Sequence, residues 1–413
     1  MPDLFPRFAA ARLTEVLADA PAVLIHGPRQ SGKTTLARSV GEPAGYTYVT
    51  FDDGATREAA TTDPIGFVAD LPRRVILDEV QHVPQLFSTL KAAIDRERVP
   101  GRFLLTGSAN VLLLPKLSDS LAGRMAILRL HPLAQCEIGR RPARFLDRLF
   151  GGDFKFRHRE RHAEELMERI AGGGYPAAIA LAAGRRRARW YQDYIETLVQ
   201  RDVRELARIG SLDALPRLLA LAASHTARLL NVTELAGPFQ LSRPTIRDYV
   251  TLLVRVFLLE ELPPWYSNRT SRLLKTPKLH LGDTGLACAL LGTGSAELKA
   301  DRQLLGQLLE TFVFQELKRE ASWHEDRHEF FHFRDRDGYE VDIVVERGAH
   351  EIAGVEVKAA ATVSGADFRS LHKLKTAAGR RFAGGVVLYG GETSLRFGDR
   401  LYAVPIPALW AET

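Results

Sequence analysis

The chain has little cysteine and no long apolar run. Only Cys136 and Cys288 occur among its 413 residues, far apart and without the close spacing of a metal-binding pair. Neither a disulfide framework nor a zinc site is therefore indicated. Charged residues interrupt the N-terminal segment, and no uninterrupted apolar run reaches the roughly 20 residues that a membrane-spanning helix needs. We expect a cytoplasmic protein with neither a signal peptide nor a membrane segment.

The remaining composition is that of an ordinary globular protein, with 46% hydrophobic and 26% charged residues and no visible repeat of fixed period. The length suggests about three domains. A formal net charge of +6 permits binding to nucleic acid or another polyanion, although the spread of the basic residues along the chain also fits plain solubility.

A short apolar run at 23–25 leads into a glycine-framed loop that fits the phosphate-loop pattern G-x-x-x-x-G-K-[ST]. The candidate nucleotide-binding residues are those of the loop, namely Gly27, Pro28, Arg29, Gln30, Ser31, Gly32, Lys33, Thr34 and Thr35. The glycines would let the backbone approach phosphate oxygens, and the start of the next helix would point free N–H groups at them. Lys33 would add a charge on the β- and γ-phosphates, and Thr34 would place its hydroxyl on Mg²⁺. The alternative is a glycine turn between a strand and a helix.

A second apolar strand, 74–80, ends in the acidic pair Asp78 and Glu79, at the strand end where open α/β sheets bind ligands. In a phosphate-loop enzyme Asp78 would hold Mg²⁺ through its water shell, and Glu79 would orient and deprotonate the attacking water. Helix-capping acids are the alternative. The earlier pair Asp52 and Asp53, at the end of strand 46–53, is left open between a nucleotide contact and a helix cap.

The next apolar strand, 102–110, ends in hydroxyls and an amide instead of acids. Ser108 is our candidate for sensing the γ-phosphate and Asn110 is the second choice, with turn chemistry as the alternative. Arg124 precedes the apolar strand 125–128 and therefore lies on a loop. An arginine there could neutralise charge on the transferred phosphoryl group.

These strings together resemble the AAA-type ATPases of bacteria and archaea that carry a C-terminal domain of unknown function. The resemblance rests on the phosphate loop, the acid strand and the segments 105–108 and 120–124, and it continues at 172–176, 194–197, 201–203, 275–278 and 283–286. It implies that the bound nucleotide is ATP. It also implies a homo-oligomer in which Arg124 completes the site of a neighbouring subunit.

The middle of the chain is predicted to be helical, with a long helix at 188–207. Segment 140–161 is basic, with Phe145, Phe150, Phe154 and Phe156 interleaved, a pattern that fits single-stranded nucleic acid or, as we favour, a linker subdomain. Three helices follow at 215–229, 231–236 and 242–256, with Asn231 and Glu234 as a capping pair. A wing strand is predicted at 258–262. This winged-helix pattern would present Arg243, Thr245 and Arg247 to a DNA groove, unless the helices are a plain packing module.

The C-terminal segment supplies a second chemical constellation. A helix at 304–319 carries Glu310, and strands are predicted at 329–333, 339–345, 352–358 and 385–389, with a helix at 367–378 before the last strand. Asp342 and Glu356 would be oxygen ligands of a metal, Lys358 would lie near the nucleophilic water, and Glu310 would stand behind them. Because Glu356 and Lys358 are two apart on one strand, they would face the same side of the sheet.

This arrangement resembles the PD-(D/E)xK nuclease signature on a restriction-endonuclease-like fold. Asp342 lies fourteen positions before Glu356, and Val341 stands where a proline often occurs. The alternative is a surface strand pair with exposed acids and a lysine, in which Lys358 alone balances the carboxylates. E-x-K on a strand is common by chance.

We therefore predict an α/β protein with four segments: an AAA-type P-loop ATPase domain at 1–135, a helical linker at 136–210, a winged-helix-like segment at 211–295 and a nuclease-like domain at 296–413. The predicted activity is ATP hydrolysis with Mg²⁺, coupled to binding or metal-dependent cleavage of nucleic acid, DNA being the first choice. The alternative is a nucleotide-dependent switch, or a DNA-binding protein, in which the nuclease-like site is idle.

Overall fold

The computed structural model describes residues 4–108, 123–158, 163–203, 214–239, 241–266 and 276–411, without the side chains of 201 and 202. Asn110 and the motif positions 120–122 and 275 lie outside the described residues. The chain divides into two compact units. The first unit contains residues 1–133 and 255–257, and the second contains 134–254 and 258–413.

The first unit is built on a sheet of five parallel strands in the order β2-β3-β4-β1-β5. Its strands are β1 Ala22–His26, β2 Thr47–Thr50, β3 Val75–Asp78, β4 Phe103–Gly107 and β5 Met125–Arg129. Its helices are α1 Ala9–Asp19, α2 Lys33–Gly41, α3 Gly54–Thr62, α4 Pro64–Asp70 and α5 Leu86–Arg96. The predicted P-loop NTPase fold, a parallel sheet with flanking helices, is confirmed.

Burial explains why three of these strands are continuous apolar runs. Every residue of β1, β3 and β4 is buried, because the strands lie inside the sheet with helices over both faces. The acid strand β3 is separated from β1 by β4, so the phosphate loop and the acidic pair both emerge at the carboxyl edge of the sheet with one strand between them.

The second unit contains a seven-stranded sheet in the order β10-β11-β12-β13-β15-β14-β6 and a three-stranded sheet in the order β7-β9-β8. The strands are β6 Arg157–His158, β7 Arg228–Leu229, β8 Leu259–Leu262, β9 Lys278–Leu281, β10 His328–Arg334, β11 Glu340–Arg347, β12 Glu351–Lys358, β13 Phe382–Tyr389, β14 Thr393–Gly398 and β15 Leu401–Pro405.

The helices of this unit come before and between the strands. They are α6 Gln135–Ile138, α7 Phe145–Gly151, α8 Ala163–Gly172, α9 Pro176–Ile179, α10 Arg185–Thr197, α11 Ala214–Ser224, α12 Val232–Ala236, α13 Arg243–Arg255, α14 Thr284–Leu291, α15 Ser295–Ala300, α16 Arg302–Ala321 and α17 Arg369–Ala378. The predicted domain boundaries at 210 and 295 both fall inside this one unit, and they stay predictions.

Several local predictions need correction. The helix predicted at 188–207 ends earlier, since α10 stops at Thr197 and a π-helical turn runs from Leu198 to Val203. Asn231 does cap α12, but the Glu234 carboxylate lies 2.8 Å from the His225 imidazole and is not its capping partner. Strands β6, β7, β9, β14 and β15 were not predicted, and β7 lies inside the helix predicted at 215–229, which ends at Ser224. β9 was missed because two of its four residues, Lys278 and His280, are polar although the whole strand is buried.

A buried carboxylate holds the second unit together. Asp283 accepts hydrogen bonds from the backbone N–H groups of Gly174, Gly285 and Leu286 and from the Tyr191 hydroxyl, and it is paired with Arg319 at 3.0 Å. This network explains the glycines of the strings 172–176 and 283–286. A Cβ on Gly173 would lie 2.1 Å from the Asp283 Oδ1, and one on Gly285 would lie 2.5 Å from the Tyr191 hydroxyl.

A second buried carboxylate belongs to Glu320 on α16. It accepts a hydrogen bond of 3.0 Å from the backbone N–H of Leu146, at the start of α7. Burial is the main cause that raises the pKa of Glu320 to about 8, and the negative charges of Asp147 and Glu316 add to it. The folded chain therefore keeps a proton on this carboxyl at neutral pH.

Replacing Glu320 by glutamine should reduce the pH dependence of stability. Folded Glu320 holds its proton up to about pH 8, whereas the unfolded chain releases it above the ordinary value of 4.5. The stabilising contribution is thus complete below pH 4.5 and is lost as the pH rises toward 8. Glutamine stays neutral at every pH. The free energy of unfolding of Glu320→Gln, minus that of wild type, should therefore be larger at pH 8 than at pH 5.5 by at least about 1 kcal/mol. Thermal unfolding at both pH values measures this change.

The exposed neighbour Glu325 offers the matched control, since Glu325→Gln removes a similar charge without touching the buried network. A Glu320→Gln variant whose Tm differs from wild type by the same amount at both pH values would contradict the assignment.

Candidate functional site

The phosphate loop connects the end of β1 to the start of α2. Gly27 and Gly32 have φ values of +155° and +93°, which side chains rarely tolerate. A Cβ on Gly27 would lie 2.1 Å from the carbonyl oxygen of Leu130, so this glycine is required by the close approach of the backbone after β5. Arg7 secures the loop from outside, since its guanidinium donates to the carbonyls of Ser31 at 2.6 Å and His131 at 2.7 Å.

Lys33 is the first residue of α2, and its side chain is buried. Its ammonium donates to the carbonyl oxygens of Gly27 at 3.1 Å and Pro28 at 2.9 Å. The charge is thus held inside the curve of the loop. His26, just before the loop, adds no charge there, because burial and the nearby Arg129 and Lys33 lower the pKa of His26 to about 4.

Thr34 links the loop to the acid strand. Its hydroxyl donates to the Asp78 Oδ1 at 2.9 Å, so the first turn of α2 is joined to the end of β3. Tyr48 donates to the other carboxylate oxygen, Oδ2, at 2.8 Å. A hydroxyl and a carboxylate in contact at the end of a buried strand are oxygen donors that suit a hard cation such as Mg²⁺.

Thr106 organises the acidic pair. Its hydroxyl donates to Asp78 and accepts a hydrogen bond of 3.2 Å from the backbone N–H of Glu79. Glu79 has φ +57°, a left-handed conformation that costs a non-glycine residue about 1–2 kcal/mol. This backbone turn separates the two carboxylates, so Asp78 stays with Thr34 while Glu79 accepts from the Gln81 amide. The helix-cap alternative for the pair is not supported, because neither side chain caps the 3₁₀ turn that follows.

The structure places the other predicted residues as follows. Ser108 is buried and comes directly after Gly107, which pairs with His26, so it lies at the same sheet edge as the phosphate loop. Asp53 caps α3 by accepting from the Thr56 backbone N–H at 2.8 Å, which decides Asp53 in favour of a helix cap, whereas Asp52 lies 3.5 Å from the His82 imidazole.

Arg124 lies at the opposite edge of the sheet. It precedes Met125, which pairs with Ala22 at the start of β1, whereas the phosphate loop follows the end of β1. From Ala22 to His26 the strand rises by four residues, so the backbone at the start of β1 is about 13 Å from the backbone at its end. Its guanidinium is paired in a two-pronged contact with Asp95, and the second of these bonds measures 3.0 Å. Arg124 is therefore not brought to the phosphate loop of its own chain.

Sequence analysis missed four residues of this site: Arg7, Tyr48, Thr106 and Arg129. Thr106 could have been found, since it lies on the strand next to the acid strand and one residue before its carboxyl end, and Tyr48 lies on the neighbouring strand on the other side. Arg129 is the last residue of β5 and lies opposite His26 in the register of the parallel strands β1 and β5. Its guanidinium lies 4.9 Å from the centre of the Phe257 ring. Arg7 had no sequence signal, because its two partners are backbone carbonyls.

A second constellation lies in the other unit, around the ammonium of Lys278. Lys278 lies 2.8 Å from the Glu310 carboxylate, 2.6 Å from Glu340 and 3.3 Å from Asp342. The predicted residues Glu310 and Asp342 are thus brought together. Glu356 interacts electrostatically with both, and burial together with the Asp342 charge raises its pKa well above the usual range.

Lys358 does not take the predicted place. Its ammonium pairs with Asp367, which precedes α17. Asp342 instead accepts from the Val357 backbone N–H at 2.9 Å and from Lys278. The alternative, in which Lys358 alone balances the acids, is also wrong, because the ammonium among them belongs to Lys278 of β9. Within the described ranges, no three or more His, Cys, Asp or Glu side chains are arranged to hold a metal ion.

The predicted DNA-facing helix is α13. Ser242 caps it by accepting from the Thr245 backbone N–H at 3.3 Å. Arg243 and Arg247 are exposed, and Arg247 pairs with Glu261 of β8 at 2.8 Å. Among the described residues, no helix is long and apolar enough to cross a membrane.

The parallel sheet, the phosphate loop and its contact with the acid strand define an AAA-type P-loop ATPase. A family model described as an AAA domain matches residues 19–139. Two further models, both described as domains of unknown function, match residues 163–297 (DUF8612) and 305–409 (DUF4143). The predicted resemblance to AAA-type ATPases with such a C-terminal domain is confirmed, and the nuclease resemblance stays a prediction.

The chain belongs to the same family as an uncharacterized protein of Mycobacterium tuberculosis and one of Mycobacterium bovis. Each is 31% identical over 402 residues, which cover 97% of this chain and 83% of the relative. Among solved structures, the chain is similar to the Walker-type ATPase of Pyrococcus abyssi, with a TM-score of 0.43 and 17% identity over 70% of this chain and 96% of that one.

ATP with Mg²⁺ should raise the Tm of the wild-type protein, and Lys33→Ala should lose most of that rise because the lysine charge and the loop amides act on the same phosphates. A ligand at about 100 times its dissociation constant stabilises a protein by about 2.7 kcal/mol. Glu79→Gln should keep the rise but hydrolyse ATP slowly, since it changes only the group beside the attacking water. Thermal unfolding and phosphate release measure the two effects separately.

Lys155→Ala is the matched control, because the Lys155 side chain is 89% exposed and lies in the other unit. If wild type and Lys33→Ala showed equal thermal shifts with ATP, the loop would not be the nucleotide site.

Proposed function

We propose that this ATPase is a nucleotide-dependent switch that binds and hydrolyses ATP with Mg²⁺ and thereby controls the binding of nucleic acid, DNA being the first choice. The observation that carries the ATPase half is the hydrogen bond of 2.9 Å between Thr34 and Asp78. It joins the first turn of α2, directly after the phosphate loop, to the end of β3, and these are the two places from which a phosphate-loop enzyme holds its cation.

The proposed roles follow from the contacts of each side chain. Lys33 would exchange its two loop carbonyls for oxygens of the β- and γ-phosphates, while the loop amides bind the same groups. Thr34 and Asp78 would hold Mg²⁺, which neutralises charge that develops on the phosphates. Glu79 would orient and deprotonate the attacking water, and Ser108 would contact the γ-phosphate.

Nucleic-acid binding is assigned to the segment 211–295, which we propose as a winged helix. Helices α11, α12 and α13 are followed by β8 and β9, and β9 pairs antiparallel with both β7 and β8. Exposed Arg243 and Arg247 lie near the start of α13, where a recognition helix contacts DNA. The charge of +6 supports a polyanionic partner.

The nuclease-like domain is proposed to bind its partner without cutting it. Lys358, which the nuclease pattern would place by the nucleophilic water, is paired with Asp367. Metal-dependent cleavage is the second candidate function, and the approach of Glu310 and Asp342 to one point favours it.

Nucleotide-dependent DNA binding should weaken when α13 loses its arginines. The double variant Arg243→Ala, Arg247→Ala should bind labelled duplex DNA less tightly, with a salt slope smaller by roughly 1–2, because each arginine releases about one counterion from the DNA. The affinity of wild type should differ between ATP and no nucleotide. Fluorescence anisotropy at several salt concentrations measures both effects.

Arg327→Ala is the matched control, since Arg327 is exposed and paired with a glutamate, as Arg247 is. DNA affinities that are equal for wild type and the double variant would refute the role of α13.

The same mixtures of protein and labelled DNA, with Mn²⁺ added, test for cleavage. A cleaved DNA product that wild type forms and an Asp342 variant does not form would favour metal-dependent cleavage, the second candidate function.

Arg124 is proposed to complete the ATP site of a neighbouring subunit, because it lies at the sheet edge away from its own phosphate loop. Arg124→Ala should lower hydrolysis by roughly 10³–10⁵ if the guanidinium contacts the transferred phosphoryl group. Mixing Arg124→Ala with Lys33→Ala should then restore part of the activity, because each variant supplies the group that the other lacks. Phosphate release from the mixture, compared with each variant alone, measures this complementation.

Full activity of Arg124→Ala would contradict this role. The role would also be contradicted if wild-type protein that is monomeric hydrolysed ATP with full activity.

A further inference from the structure

The ammonium of Lys278 is enclosed by three carboxylates that come from two separate elements. Glu310 lies on α16, while Glu340 and Asp342 lie on β11. Their oxygens approach the ammonium to 2.8, 2.6 and 3.3 Å, and the Lys278 side chain is only 2% exposed. The backbone of Lys278 is held as well, because its strand β9 is the middle strand of the three-stranded sheet.

The cluster carries more acid groups than one lysine can neutralise. Glu356 adds a fourth carboxylate, and its Oε2 atom is buried without a hydrogen-bond partner. Carboxylates that share a site repel one another, so one or more must take a proton or a further cation. In agreement, burial and the charge of Asp342 raise the pKa of Glu310 well above its usual range.

We propose that Lys278 is a built-in cation that occupies the position of a divalent metal in this acid cluster, and that replacing it by a neutral side chain creates a Mg²⁺- or Mn²⁺-binding site. The proposal concerns the second unit alone and does not depend on ATP hydrolysis.

Distances explain why the lysine and a metal exclude one another. Carboxylate oxygens lie 2.6–3.3 Å from the ammonium nitrogen, whereas a Mg²⁺ ion needs its oxygens at about 2.0–2.1 Å. Both cations would occupy the same point. Removal of the ammonium would leave Glu310, Asp342 and Glu356 with uncompensated charge around a buried space, and a divalent cation would relieve their repulsion.

The expected gain is metal binding and not cleavage. Lys358 is paired with Asp367, so the group that would position a nucleophilic water is engaged outside the cluster.

The test titrates MnCl₂ into nucleotide-free full-length protein and follows thermal unfolding. Wild type should show no Mn²⁺-dependent rise in Tm that requires Asp342, and Lys278→Met, which keeps much of the side-chain length without the charge, should show a clear rise. The double variant Lys278→Met, Asp342→Asn should lose it. Isothermal titration calorimetry with Mn²⁺ gives the stoichiometry, with about one ion per chain expected only for Lys278→Met.

Two results would overturn the proposal. One is a folded Lys278→Met protein that does not respond to Mn²⁺, and the other is a wild-type protein that binds Mn²⁺ as tightly as the variant through Asp342.

If Lys278→Met does not fold, Glu356→Gln in the wild-type background decides the matter. The proposal expects its Tm to equal or exceed that of wild type and neither protein to respond to Mn²⁺. A Mn²⁺-dependent rise in wild type that Glu356→Gln abolishes would show that metal binds beside Lys278, against the proposal. ATP-dependent stabilisation, measured on the same samples, reports the nucleotide site separately, so either function can fail alone.

Discussion

The ion pair between Asp283 and Arg319 fixes the arrangement on which the second unit depends. Burying two charges is costly unless each is fully hydrogen-bonded, and Asp283 meets that condition with three backbone N–H groups, a tyrosine hydroxyl and the guanidinium. Arg319 lies on α16, and Asp283 directly precedes α14, two residues after β9 ends. The pair therefore joins α16 to the segment between β9 and α14. Glu310 lies nine residues before Arg319 on α16, about two and a half helical turns. The same ion pair therefore sets how Glu310 meets Lys278.

In the first unit Asp78 is the carboxylate to which the neighbouring elements are hydrogen-bonded. Here the phosphate loop and the acid strand could both be predicted from the sequence. The phosphate loop, the acid strand and their common sheet edge follow from short apolar runs that end in glycine, lysine or acids. Such signals are local, and a parallel sheet brings the carboxyl ends of its strands to one edge. What could not be predicted was the support around them. Arg7 donates to two backbone carbonyls, and Glu79 adopts a left-handed backbone conformation that no residue pattern announces.

In the acid cluster around Lys278, the carboxylates could be predicted from the sequence but their cationic partner could not. Glu310, Asp342 and Glu356 were found by their order along the chain, and most strands of the C-terminal sheet were predicted with small shifts of their ends. The partner of the acids was not found, because Lys278 lies outside the nuclease-like pattern, on a four-residue strand with alternating polar residues. Two-residue spacing on β12 placed Lys358 on the correct face of a strand but could not reveal that Asp367 competes for its charge. Sequence spacing predicts direction along one element, whereas ion pairs between elements depend on the whole fold.

The hydrogen bond between Leu146 and Glu320 joins residues separated by 174 positions, and β6 at 157–158 pairs with β14 at 393–394. During synthesis on a ribosome, which adds about 5–20 residues per second, the amide of Leu146 waits roughly 9–35 s for its partner to be made. In that interval β1 to β5, all encoded before residue 130, can pair and bury their apolar residues. Nascent chains would therefore expose the face of α7 that is buried in the folded protein while the first sheet can already form.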